Sequence, residues 1–256
     1  MIKLSDYIFQ YLANYGVRHV FMLTGGGAMH LNDSIGKEKR IQYICNHHEQ
    51  ACAIAAEGYA RTSGKIGVVS VTTGPGGTNA VTGILGQWLD SIPALCISGQ
   101  VRFDTTVAST GLPLRQLGDQ EINIVDIVRP ITKYAFMVTE PQSIRFHLEK
   151  AIHLATSGRP GPVWLDIPLN VQAAMIDEQS IQGYIPTGDD KIEFDDDKIE
   201  NTVNIVVDKI KAAKRPVILA GAGIRLGGAY GIFQEVVEKL GVPVLTAWDA
   251  IDLMHE

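Results

Sequence analysis

Two periods of apolar and polar positions alternate along the chain. Short β-rich runs at Val17–Leu23, Ile41–Cys45, Ile66–Thr72, Ala94–Ser98 and Val163–Ile167 read as strands. Between them, Leu4–Tyr15, His48–Ser63, Thr78–Leu89 and Gln142–Thr156 carry helical spacing. Gly64 suits the left-handed residue after a helix, and Pro141 suits a first turn. Strand and helix in alternation predict an α/β fold, a parallel sheet with helices on both faces. Ligands of such sheets bind at the carboxyl ends of the strands, where loops run into helix N-termini.

The pattern breaks between Pro168 and Asp197, a stretch rich in Asp, Gln, Gly and Pro without sustained period. A second α/β set follows: helix Asp197–Ala213, strand Pro216–Ala220, the loop GAGIRLGG, helix Ala229–Leu240 and strand Val242–Thr246. The expected organisation is a first domain at 1–170, a linker at 171–196 and a partial Rossmann-like domain at 197–256. One such set cannot close a sheet of usual size, so the second domain reads as cut off.

Composition narrows the function classes. Hydrophobic residues are 46% and charged residues 20% of 256, which excludes a disordered chain. At about 150 residues per domain the length allows one to two domains. Glycine, 26 residues, is above the usual ~7% and points to tight turns rather than a fibre. No apolar run reaches the ~20 residues that cross a bilayer, and the first residues, MIKLSDYIFQYL, lack a signal-peptide core. The net charge of -6 is concentrated in Asp189–Glu200, where seven acids face two lysines. Without a basic face, nucleic acid is excluded as a partner. Cys45, Cys52 and Cys96 lie in apolar segments without CxxC spacing, so they read as buried thiols of a reducing cytoplasm.

Four loops carry candidate chemistry. TGGGA, Thr24 to Ala28, follows a strand, and its glycines let backbone approach a ligand; a plain tight turn is the equal alternative. TTGPGGTN, Thr72 to Asn79, is again a strand, a Gly-rich loop and a helix, able to cradle an anion. It lacks the Lys-Ser/Thr pair of a nucleoside triphosphate loop. HHEQ, His47 to Gln50, puts Glu49 at a helix N-terminus, where the helix dipole alone favours an acid. The spacing that would bring two histidines onto one helix face for a metal is absent. GAGIRLGG, Gly221 to Gly228, is a loose dinucleotide fingerprint, with Gly221 and Gly223 as its cofactor-binding candidates. Read as a nicotinamide site it needs an acid after the next strand, and Asp249 is roughly placed, but the first domain would go unexplained.

In order, GVRHVF, TGGGA, NHHEQACAIAAEGYART, TTGPGGTNAVTG, LDSIPALCISGQV, GDQE, RPITK, SGRPGPVWLDIP and RPVILAGAGI resemble one family over nearly the whole chain. It is the acetolactate synthase group of thiamine diphosphate enzymes. The resemblance implies a pyrimidine-binding domain to about residue 170, followed by the start of the central domain. It implies that Glu49 hydrogen-bonds the cofactor pyrimidine, favouring the tautomer whose nitrogen removes the thiazolium C2 proton. A 2-oxo acid is then attacked, and the cofactor is the electron sink as CO₂ leaves. Thr73, Gly74, Pro75 and Asn79 would lie beside the pyrimidine, with Gly25 and Gly26 near the reaction centre. Gln120 matches a glutamine of the substrate pocket and Arg159 an arginine that contacts FAD, with a helix C-terminal charge as the equal alternative for Arg159.

Departures fall on the substrate side. Asp119 stands where the synthases carry Phe, Leu169 where they carry Lys after IP, and Val101–Gly118 is longer than its counterpart. Thiamine chemistry is therefore better founded than acetolactate as product, and a larger acceptor such as a modified sugar stays open. The family holds the diphosphate and Mg²⁺ with a GDG motif in a C-terminal domain. The nearest strings here are GDQ at Gly118 and GDD at Gly188. The chain is thus expected to be inactive alone, either the N-terminal portion of a cytoplasmic homodimer or homotetramer, or a split-enzyme or non-catalytic subunit needing a partner with that site.

Overall fold

Residues 1–190 and 194–254 are described by a computed structural model, and they divide into two units, Met1–Lys191 and Ile192–Glu256. Part of the acidic run, residues 191–193, lies outside the described residues.

The first unit begins with β1 (Ile2–Lys3) and the amphipathic α1 (Leu4–Tyr15), which ends at Gly16 with φ +107°. There follow β2 (His19–Met22), α2 (Met29–Lys37), β3 (Gln42–Cys45), α3 (Glu49–Ser63), β4 (Gly67–Val71), α4 (Pro75–Leu89) and β5 (Ala94–Gln100). The chain continues through α5 (Val107–Thr110), α6 (Ile124–Val128), β6 (Tyr134–Met137), α7 (Ile144–Thr156), β7 (Pro162–Pro168), α8 (Leu169–Gln172) and β8 (Met175–Ile176). Six strands form a parallel sheet in the order β3-β2-β4-β5-β7-β6.

Every residue of β4, β5 and β7 is buried, as expected of parallel strands covered on both faces. Alternate residues therefore feed two cores. Val68, Leu95, Ile97, Val163 and Leu165 pack with α1, α2 and α7. Val69, Val71, Cys96 and Trp164 face α3, α4 and α6. The second core is thin because its helices are built from small residues. A Cβ on Gly67 would lie 2.4 Å from the Ala56 carbonyl oxygen, and one on Gly83 would lie 2.5 Å from Ala53 Cβ.

Three expectations need correction. β6 has no counterpart among the expected strands: it is an edge strand of half-exposed residues whose four-residue apolar run, YAFM, shows no alternation. The linker expected at 171–196 is in part packed protein. β8 pairs antiparallel with β1, and Val171, Gln172, Ile176 and Ile181 are buried, because two-residue ladders leave no readable period. Cys45 is exposed rather than buried, since β3 is the other edge of the sheet; Cys52 and Cys96 are buried.

The second unit comprises α9 (Asp196–Ala212), β9 (Ile218–Ala220), α10 (Gly223–Leu226), α11 (Tyr230–Leu240) and β10 (Val244–Thr246). β9 and β10 pair in parallel, and Ala220, Ala250 and Leu253 form a small core with Phe233 and Val244. Among the described residues no helix is long and apolar enough to cross a membrane.

The close helix packing predicts opposite effects of one substitution at two glycines. Gly83→Ala is expected to destabilise by about 1–3 kcal/mol through overpacking against Ala53. Gly58→Ala, on an exposed face of α3 with open space around it, should stabilise by roughly 0.5–1 kcal/mol. Urea unfolding midpoints measure both, and shifts of the same sign would contradict the packing.

Candidate active site

The carboxyl ends of β2, β3, β4, β5 and β7 carry the loops that meet here. After β4 the chain turns through Thr72, Thr73 and Gly74 into α4. Gly74 has φ +57° and ψ −116°, a conformation that requires glycine, and Pro75 takes the first helical position, where its missing N–H costs nothing. A Cβ on Gly74 would lie 2.0 Å from the Gln120 carbonyl oxygen, so the two loops touch through backbone. Gln120 itself holds φ +55°, a left-handed conformation uncommon outside glycine, and its side chain is exposed.

Glu49 opens α3 and is buried, 6% exposed. His48 caps the helix, its Nδ1 accepting the Gln50 N–H at 3.1 Å, which uses that ring nitrogen for folding. Asn79 Nδ2, one turn into α4, donates to Glu49 Oε2 at 3.0 Å. The other oxygen, Oε1, points toward Gly76, where an added Cβ would stand 3.5 Å away. Among the described residues it has no hydrogen-bond partner. Thr72 forms the wall: Cβ atoms on Gly25 or Gly76 would meet its side chain at 2.5 and 2.6 Å. The Thr72 hydroxyl is buried without a partner, as is Asn32 Oδ1, whose amide nitrogen donates to the Gly25 carbonyl at 3.3 Å. Gly26 faces open space. The structure thus brings Glu49, Gly25, Thr73, Gly74, Asn79 and the Gln120 backbone to one place.

Arg159 is not there. It lies with Trp88, Leu89, Lys133 and Pro160 around a cavity of about 290 Å³ at the far end of α4 from Pro75. That end is roughly 20 Å away along a 15-residue helix. Arg159 Nε donates to the Ser91 hydroxyl at 2.7 Å, and Lys133 Nζ to the carbonyls of Ser157 and Arg159. Gly221 and Gly223 belong to the second unit, at the end of β9 and the start of α10. An added Cβ at either meets nothing, so packing does not demand glycine.

Three groups of side chains that complete the site were missed by sequence reasoning. Glu121 folds back the long segment after β5: its carboxylate accepts the N–H of Val107 at 2.6 Å and those of Leu117 and Gly118 at 3.0 Å. Asn170, next to Leu169, accepts the Phe103 N–H at 2.8 Å and ties down the same segment. Gln172, in the stretch expected as linker, donates to the Gly27 carbonyl at 2.7 Å and so pins the TGGGA loop. The third group is a buried row between β5 and β7. Register sets Ser98 opposite Asp166, one step beyond Cys96 and Trp164 on the same face. Ser98 donates to Asp166 Oδ1 at 2.5 Å, and Gln100 Nε2 donates to Oδ2 at 3.1 Å. Full burial pushes the Asp166 carboxyl up to about 7, against these two hydrogen bonds. The same burial pushes the neighbouring Cys96 thiol up, keeping it neutral. Each of these groups pairs residues distant in sequence, which no local pattern records.

Among the described residues no group of three His, Cys, Asp or Glu is placed to hold a metal.

The chain is similar to known proteins over most of its length. Residues 2–127 match the family model described as the thiamine pyrophosphate enzyme N-terminal TPP binding domain, and residues 203–256 match that of the central domain. The acetolactate synthase large subunit of Lactococcus lactis subsp. lactis (strain IL1403) is 38% identical over 243 residues, covering 94% of this chain and 40% of the relative. Isozyme 3 large subunit of acetolactate synthase from Escherichia coli (strain K12) is 34% identical over 252 residues, 96% of this chain and 41% of the relative. The chloroplastic acetolactate synthase of Arabidopsis thaliana is 36% identical over 251 residues, 94% and 34%. The chain spans about 40% of the length of the bacterial relatives it matches.

Asp166 makes stability depend on pH in a definite direction. Its carboxyl releases its proton near 3.8 when unfolded and near 7 when folded. Between those values the folded state binds the extra proton, so its contribution is full below about pH 4 and is lost as pH rises through 7. Asp166→Asn should remove that decline. Thermal unfolding of both forms from pH 4.5 to 8 measures it, and parallel profiles would contradict the assignment.

Proposed function

This chain belongs to the thiamine pyrophosphate enzyme family, and on that premise we propose that it forms the pyrimidine-binding side of a carboligase or decarboxylase acting on a 2-oxo acid. The observation that carries the reading is the Glu49 carboxyl. It is buried at a helix N-terminus with Oε2 fixed by Asn79 and Oε1 without a partner, beside the Gly76 cradle.

The residues present fit the pyrimidine half of thiamine diphosphate. A flat heteroaromatic ring needs backbone that comes close without side chains in the way, which the closely packed turns at Gly25–Gly27 and Gly74–Gly77 supply, and hydrogen-bonding groups at its edge. Glu49 Oε1 is such a group. When bound, the cofactor supplies a carbon nucleophile and an electron sink for the departure of CO₂. Glu49 Oε1 would face a ring nitrogen there, the place of a general acid and base. Asn79 keeps that carboxyl in one orientation, and burial excludes water from the exchange. Thr73 and Pro75 flank the glycine that lets the ring approach, and Gly26 keeps the space above it open. Gln120, held against Gly74 by its own backbone, borders the substrate side together with Asp119 and the segment that Glu121 folds back.

The diphosphate and its Mg²⁺ we assign to residues outside this chain, because the 256 residues contain no GDG string. FAD is a finer part of the proposal: Arg159 and Lys133 line the separate cavity with Trp88, a cationic and aromatic recess suited to a flavin nucleotide. A homodimer or homotetramer in the cytoplasm completes it. Ile54, Leu85 and Leu89 are exposed on α3 and α4, and such apolar surface supports burial against a second subunit.

Glu49→Gln tests the assignment in the complete protein. Exchange of the thiazolium C2 proton for deuterium, followed by NMR after acid quench, should slow by about 10²- to 10⁴-fold, with cofactor affinity little changed. Exchange at the unsubstituted rate would refute the role of Glu49.

A further inference from the structure

The buried row between β5 and β7 continues beyond Asp166 into both loops of the site, and the direction of every hydrogen bond in it can be deduced. Trp164 Nε1 is a donor only, and it points at Ser98 Oγ at 2.8 Å. The Ser98 hydroxyl hydrogen is thereby left for Asp166 Oδ1 when that carboxyl is ionised. At the other end the backbone N–H of Val101, also a donor only, lies 3.0 Å from Gln100 Oε1. That contact settles which end of the amide is oxygen, since a flipped amide would set NH₂ against N–H. The NH₂ end then donates to two acceptors, Asp166 Oδ2 at 3.1 Å and the Ile122 carbonyl at 3.0 Å. With Oε1 fixed as acceptor, the Thr73 hydroxyl, 2.5 Å away, must donate to it.

Gln100 is 1% exposed and Asp166 is 0% exposed. A buried amide fully satisfied on four sides is rigid, and removing it would strand several donors and acceptors at once. Its two ends hold different things. The oxygen holds Thr73, which leads into Gly74 and the Glu49 cradle. The nitrogen holds Ile122, two residues from Gln120, whose own carbonyl rests on Gly74.

We propose that Gln100, oriented by Asp166, is a positioning residue that couples the cofactor loop 72–79 to the substrate loop 118–124, so that ordering one loop orders the other. The functional meaning of the two loops rests on the reading of the site given above. The coupling itself is a property of the chain alone.

Amide hydrogen exchange of the full chain tests both parts. The Gly76 and Thr78 amides, bonded to the Thr73 and Gly74 carbonyls, report on the first loop. The Glu121 and Ile124 amides, bonded to the Gly118 and Ile122 carbonyls, report on the second. Gln100→Leu is expected to speed exchange in both loops by at least about tenfold while the amides of β4 stay protected. Thr73→Val, which removes only the hydroxyl that ties the first loop to Gln100, should loosen the first loop directly and speed exchange at Glu121 and Ile124 to a smaller extent. Thiamine diphosphate with Mg²⁺ should protect the first loop in both the unsubstituted chain and Gln100→Leu, but spread protection to the second loop only in the former. Unchanged exchange in Gln100→Leu, or loosening of one loop alone, would overturn the coupling. Should Gln100→Leu fail to fold, Thr73→Val decides: faster exchange at Gly76 and Thr78 with Glu121 and Ile124 unchanged would overturn the coupling. Absence of protection by the cofactor in the unsubstituted chain would count against the thiamine reading, while the comparison without cofactor still decides the coupling.

Discussion

Burial of β4, β5 and β7 on both faces is the constraint on which the rest of the first unit depends. A polar side chain in the middle of such a strand would be stranded between two apolar cores. The faces of β5 and β7 stay apolar through Cys96 and Trp164 and turn polar at Ser98, Gln100 and Asp166, at the carboxyl edge, while β4 carries the small Ser70 with its hydroxyl unpartnered. That edge is also where α3 and α4 begin, so the helix N-termini, the glycine turns and the one buried polar row are gathered by the same geometry. The site follows from how a parallel sheet must end.

Close approach is the second consequence. Small residues on α3 and α4 bring their N-termini together, so that Asn79 can reach Glu49 across thirty positions of sequence. The carboxyl group is held by one neutral donor on one oxygen, without a cation beside it. An ion pair there would fix the carboxylate in its charged form, whereas an amide partner leaves the second oxygen free for proton exchange with a ligand. Thr72 forms the wall and leaves its own hydroxyl without a partner in the protein. An unsatisfied buried hydroxyl costs folding free energy unless something else completes it.

Much of this was legible in the amino-acid sequence, and the boundary of legibility has a physical cause. The five apolar strands and the long helices showed because their periods are local, and Glu49 showed because an acid opening an alanine-rich helix is a local signal. β6 escaped because a four-residue apolar run without alternation is as short as a turn of helix, and the β1–β8 ladder because two residues make no period. Cys45 was misread for the related reason that edge position is a property of the sheet. Asp166, Gln100, Glu121 and Gln172 were beyond reach: their meaning lies in partners up to 145 positions away, and only strand register and loop closure bring those partners into contact. The separation of Arg159 from the Glu49 site is likewise a matter of which end of α4 each residue adjoins.

The most direct measurement is a crystal structure of the complete protein with thiamine diphosphate and Mg²⁺. The account predicts the pyrimidine ring over Gly25 and Gly74, with a ring nitrogen within hydrogen-bonding distance of Glu49 Oε1 and the Asn79 contact preserved. A pyrimidine bound elsewhere, or Glu49 turned away from it, would contradict the account.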